Sequence, residues 1–157
     1  MDNYQVMDSK DTISGSLGRV FYTLGDRRYL GMEFVKVEAK MEKTKKEVPI
    51  LGKTGKGNKS TGWKGTGTAT LHYITSHFRH YLFEYMKTGK DFYFDMQIVN
   101  EDPTSDVGRQ TTILKHCNIN SAIIAKVDAD AEDLDEDFDF TFDDAELPEE
   151  FSDLAGM

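Results

Sequence analysis

Residues 33–43 read EFVKVEAKMEK, and their alternation decides the fold class. Val35, Val37, Ala39 and Met41 fall on one side of an extended chain, with Lys36, Glu38, Lys40 and Glu42 on the other, because successive strand side chains point to opposite faces. The stretch predicts a long, half-buried strand. The same period of two returns at 13–24, 66–74, 91–99, 109–117, 120–128 and 135–144, the last setting Phe138, Phe140 and Phe142 against Asp139, Thr141 and Asp143. A mainly β chain is expected.

One segment breaks the pattern. In SHFRHYLFEYMKTG (76–89), Ser76 is placed to cap a helix at its start and Gly89 at its end, while Phe78, Tyr81, Leu82, Tyr85 and Met86 recur at helical spacing. That stripe reads as core. Phe83 lies about 140° around from Phe78 at 100° per residue, off the stripe, and is a candidate interface residue.

The stretch LGKTGKGNKSTGWKGTGTATL (51–71) invites comparison with phosphate-binding loops. A P-loop places a lysine and a hydroxyl directly after its last glycine, with a strand before and a helix after. Here Gly52 and Gly57 have the right separation, but Asn58 follows and Lys59-Ser60 come one place late. In the other register Gly52-Lys53-Thr54 fits, but Glu47 stands where the loop should open. The residues after it read as strand, and Gly65-Thr66-Gly67 lacks the later glycine of a dinucleotide fingerprint. The segment from Lys43 to Trp63 is then a long strand-to-strand loop of the kind that is functional or disordered.

At 157 residues and 38% hydrophobic, the chain reads as one domain able to bury a core. No apolar run reaches the roughly 20 residues a membrane helix needs, and MDNYQVMDSKD is too polar for a secretory leader, so a soluble protein made in the cytoplasm without a membrane anchor is expected. The single cysteine, Cys117, allows no internal disulfide and reads as a small buried strand residue. Charge is unevenly spread. Between 33 and 66 nine lysines face four glutamates, whereas after Asn118 the only base is Lys126 against fourteen acids from Asp128 to Asp153. Such a chain repels copies of itself at random and attracts them when basic loop meets acidic edge.

Candidate chemistry is sparse. DADAEDLDED (128–137) fails as a calcium loop, which would need a glycine at 133 and a glutamate at 139 where aspartates stand. His77 and His80 are three apart on the helix with His72 upstream, but no third ligand of the right kind is near in sequence. His116 and Cys117, adjacent on a strand, point to opposite faces. No nucleophile has a matching base, so no enzyme, catalytic residue, metal or cofactor is expected. The lysine loop is interleaved with one aromatic in an acidic protein, which weighs against a nucleic-acid footprint.

Longer strings carry more. EVPILGK (47–53), TGWKGTGT (61–68), FEYMKTGKDFYFDMQIVNEDPTSDVGRQTT (83–112), KHCNI (115–119) and FTFDDAELPEEF (140–151) closely resemble the PBSX-type tail tube proteins of contractile phage tails, defective prophages and phage-tail-like bacteriocins. The resemblance implies a mainly β tail-tube barrel or sandwich subunit with one amphipathic helix, whose inner-barrel strands close a sixfold ring. It implies one tail tube domain over 1–157, with an N-terminal arm (1–11), a long inter-ring loop (43–63) and a C-terminal arm (145–157). Rings would stack into a hollow tube inside a contractile sheath, driven through the target cell envelope, and the subunit would be structural rather than enzymatic.

Within that frame Lys53, Lys56, Lys59, Trp63 and Lys64 are expected in the inter-ring loop, and Lys36, Glu38, Lys40, Glu42, Thr68 and Thr70 toward the lumen. Implied partners are the protein itself, a sheath protein, a tape-measure protein, a baseplate initiator and a tail terminator. DNA would pass without specific binding in a phage. The implied location is the tail of the virion or particle, assembled in the bacterial host cytoplasm. The competing reading is a monomeric β-sandwich that serves a phage particle as a binding or adhesion module.

Overall fold

The structure is a computed structural model and describes residues 5–157. Residues 1–4, the start of the expected N-terminal arm, lie outside the described residues. Two 3-10 turns, Ser9–Asp11 and Gly15–Leu17, precede β1 (Arg19–Leu24), β2 (Arg27–Leu30), β3 (Phe34–Val48), β4 (Gly57–His72), α1 (His77–Thr88), β5 (Phe94–Glu101), β6 (Arg109–Ala122), β7 (Asp135–Phe142) and β8 (Asp144–Glu149). The chain is mainly β, as its alternation foretells, and divides into two compact units.

The first unit takes the described part of 1–32 with Phe94–Lys115 and Ala145–Met157. Its strands run in the order β2-β1-β5-β6, and β8 also pairs with β6. Tyr22 faces Met96 and Leu24 faces Phe94 across β1 and β5, and all four are buried. Full burial of each such side chain contributes about 1.5–3 kcal/mol. β2 is absent from the alternation because RRYL keeps three of its four residues exposed. Its signal is Gly25-Asp26, a two-residue hairpin turn with Gly25 at φ 60°.

The second unit comprises Glu33–Tyr93 and His116–Asp144, with strand order β6-β7-β4-β3. Its core is aromatic. Phe138 packs between Phe34, Phe78 and Phe140 with ring centroids 6.4, 5.1 and 5.8 Å away. The β4–β7 register sets Gly65 against Phe142, Gly67 against Phe140 and Ala69 against Phe138. A Cβ on Gly65 would stand 2.3 Å from the Phe142 ring, so the small residues of GTGTATL make room for the rings of FDFTF. Cys117 is fully buried and His116 is exposed, although His116 sits at φ 56° rather than in the extended backbone that simple alternation assumes.

The helix runs His77–Thr88 and ends at Gly89, whose φ of 77° lets its N–H donate to the Tyr85 carbonyl at 2.8 Å. Ser76 precedes it without a side-chain capping bond. Several expectations need correction. The stripe fades along the helix: Phe78 is buried, Tyr81 and Leu82 are half-buried, and Tyr85 and Met86 are about half exposed. Segments 109–117 and 120–128 are not two strands but one, β6, which ends at Ala122. The 13–24 strand begins only at Arg19, after the turn at Gly15–Leu17. The expected C-terminal arm holds most of β8.

The largest correction concerns 43–63. It is not a loop: Lys43 pairs with Trp63, Lys46 with Lys59 and Val48 with Gly57, leaving 49–56 as the turn. Residues that are polar on both sides hide the period of two on which strand reading depends. β3 and β4 thus run on past the last β4–β7 pair at Gly65 as a two-stranded arm.

Candidate assembly surfaces

One face of the second unit is polar from strand to strand. Cross-strand partners share a face, and β3 pairs Lys36 with Thr70, Glu38 with Thr68, Lys40 with Thr66 and Glu42 with Lys64. β7 continues the face with Asp137 opposite Thr70, Asp139 opposite Thr68 and Thr141 opposite Thr66. The six residues expected toward the lumen, Lys36, Glu38, Lys40, Glu42, Thr68 and Thr70, are therefore brought together. Ion pairs along it are loose and wet: Lys36 to Glu38 at 3.7 Å and Lys64 to Glu42 at 3.9 Å, with every side chain about two-thirds exposed. Such pairs contribute about 0–1 kcal/mol and leave the surface mobile in charge.

The opposite face is less regular than EFVKVEAKMEK implies. Val37 and Ala39 are half-buried, but Val35 is 55% exposed because a bulge between Phe34 and Lys36 turns it out of register. Met41 is also half exposed, lying where β7 stops covering β4. Sequence reasoning could not see either effect.

The arm carries Lys53, Lys56, Lys59, Trp63 and Lys64. Its residues from Lys40 to Glu47 and from Asn58 to Lys64 are all exposed. Lys56 meets Glu47 at 3.8 Å in the same arm. Trp63 is not bare: its ring sits 6.2 Å from Phe142 at the arm's root. The bare apolar residue is Leu51 in the turn, fully exposed beside half-exposed Ile50. Both lie in EVPILGK, where no periodicity marks them as contact residues. Phe83 is 43% exposed, with half-exposed Met86 a turn away on its side of the helix, so an apolar pair faces out at the residue that lies off the stripe.

Shifted ionisation lies in the first unit. The Arg109 guanidinium, 2.9 Å from Glu149, and then the Thr111 hydroxyl hold the Glu149 carboxyl below its ordinary range, which fastens β8 to β6. Asp11 is likewise lowered, first by the Asp106 backbone N–H and then by the Lys10 ammonium. Lys10 is raised by Asp106 and Asp11. These groups tie segments together and converge on no reactive centre.

The profile of a family described as phage tail tube protein matches residues 5–149. The PBSX phage-like element protein XkdM of Bacillus subtilis (strain 168) is 42% identical over 148 residues, spanning 94% of this chain and 97% of its own. Two solved structures share the fold. The tube terminating cap of the anti-feeding prophage superposes with TM-score 0.63 at 14% identity, covering 93% of this chain and 95% of that one. The sheath-tube complex of the PVC extracellular contractile injection system gives 0.61 at 12%, covering 88% and 93%.

Proposed function

The chain belongs to the phage tail tube protein family, and on that premise we propose that it assembles as six-membered rings that stack into the hollow tube of a contractile tail. The whole of 1–157 acts as one tail tube domain. The polar face carrying Lys36, Glu38, Lys40, Glu42, Thr68 and Thr70 lines the lumen, where loose, hydrated charge pairs let cargo pass without gripping it. Strands β6, β7, β4 and β3 are the four that each subunit contributes to the inner barrel.

The observation that carries this reading is the state of β3. It is the last strand in its sheet, fifteen residues long, paired along one edge by β4, and it runs into an arm exposed on both faces. A long uncovered edge is a template for another chain, and two-stranded ribbons are marginal on their own in water. Closing a barrel around six copies removes the edge, and stacking gives the arm a surface to lie on. Arm lysines meet the acidic segment 128–144 of a subunit in the next ring. A sheath protein covers the tube, a tape-measure protein occupies the lumen during assembly in the host cytoplasm, and a baseplate initiator and a terminator define its ends. In a phage, DNA passes through without specific binding; the subunit supports no catalysis.

Sedimentation velocity over a range of concentrations tests the reading. Monomer should give way to very large polymer with little in between. A stable dimer that persists on dilution and never enters polymer would overturn it.

A further inference from the structure

We propose that His72, Asp133 and Asp135 form a site for a divalent transition-metal cation. His72 and Asp135 are direct partners in the β4–β7 ladder. The ladder is prolonged by the Tyr73 N–H, which donates to the Leu134 carbonyl at 2.8 Å. Asp135 therefore takes the same side as His72, and Asp133, in the bend just before β7, turns its carboxylate toward the same ring.

The distances suit an ion. His72 Nδ1 lies 3.1 Å from Asp135 Oδ1 and 3.8 Å from Asp133 Oδ2, and one ligand atom from each residue lies within 4.8 Å of the others. A cation held about 2.0–2.2 Å from nitrogen and oxygen ligands sets those ligands roughly 3–4 Å apart, so it can be seated here by side-chain adjustment alone. Open positions remain for water.

The imidazole separates this trio from the rest of the acidic run. Carboxylates alone attract calcium, magnesium or manganese, whereas a ring nitrogen beside two carboxylates shifts the preference toward zinc. The ligands that His72 lacks nearby in sequence are supplied by register: Asp135 at the start of β7 and Asp133 just before it. The segment 123–134 belongs to no strand, and a cation here fastens its end to the end of β4. This role is independent of tube assembly.

Isothermal titration of Zn²⁺ into the full-length chain tests the site, with Ca²⁺ as comparator. All three side chains are about half exposed or more, so their variants should fold. One Zn²⁺ should bind per chain, at least tenfold more tightly than Ca²⁺, with affinity lowered at least tenfold in His72→Ala and in Asp133→Asn. Asp130→Asn and His80→Ala should leave it unchanged. In the unaltered chain, Zn²⁺ should slow hydrogen exchange across 123–134. No Zn²⁺ binding, binding indifferent to His72→Ala, or equal loss in Asp130→Asn or His80→Ala would overturn the proposal, the third case marking diffuse attraction to the acidic run and the last a site on the helix.

Discussion

The ring of Phe140 lies directly over Gly67. A Cβ at position 67 would stand 2.4 Å from Phe140 Cζ and 2.8 Å from the Glu38 carbonyl oxygen, so neither ring nor backbone leaves room for one. Gly67→Ala should therefore destabilise the subunit by about 1–3 kcal/mol, the usual range for overpacking. It should appear as a lower urea midpoint with unchanged slope. Gly62→Ala, which meets nothing within 4 Å, is the control and should move stability by no more than about 0.5 kcal/mol. Matching midpoints for the two variants would show that the Gly–Phe packing is not needed.

Arg79 and Glu136 form a largely enclosed ion pair, 2.7 Å apart with 12% of each side chain exposed. Arg79 also donates to the Thr75 carbonyl and lies 4.3 Å over the Tyr73 ring. Glu136→Ala leaves this guanidinium half-satisfied away from water, and a loss of about 1.5–3 kcal/mol is expected. A double-mutant cycle with Arg79→Ala should return a coupling of the same order; strict additivity would show that the pair is incidental.

Acid should loosen the first unit in a defined way. The folded state lowers the Glu149 carboxyl through Arg109, then Thr111, so the stability this carboxylate contributes is complete above its ordinary value and is lost as pH falls through the lowered one. Glu149→Gln should be less stable than the parent at neutral pH, and the gap should close as pH falls below about 4, the ordinary carboxylate range. A gap that stays constant with pH would assign the effect to packing.

The arm separates assembly from folding. Leu51→Asp and the paired change Lys56→Glu with Lys59→Glu alter exposed positions, so the subunit should keep its stability while tube growth slows. The charge effect should be greatest at low salt. Trp63→Ala should slow growth more and also lower subunit stability, since its ring packs near Phe142. Turbidity or pelleting assays beside thermal melts read both quantities; normal polymerisation of the charge-reversed protein at low salt would dismiss the electrostatic account of ring cohesion.

The fold was legible where one face is buried. Phe138, Phe140 and Phe142 in β7 announce themselves by period, and the helix by its spacing and its C-cap at Gly89. Local pattern failed where tertiary context decides: the arm at 43–63 is solvated on both faces and so has no hydrophobic period, and β2 is a short exposed strand. The bulge that expels Val35 is a matter of pairing with β4, which no window along one strand can hold. The polar face was half readable, since Lys36 to Glu42 alternate visibly, whereas the contribution of Asp137 and Asp139 depends on register. The His72 trio joins residues some sixty positions apart through that same register.

Electron microscopy of the purified protein at high concentration tests the central claim most directly. Tubes of uniform diameter with an open lumen, showing six subunits in end-on averages and a regular axial repeat, are the expected result. A population that stays monomeric at every concentration, or that forms solid fibrils without a lumen, would contradict the account.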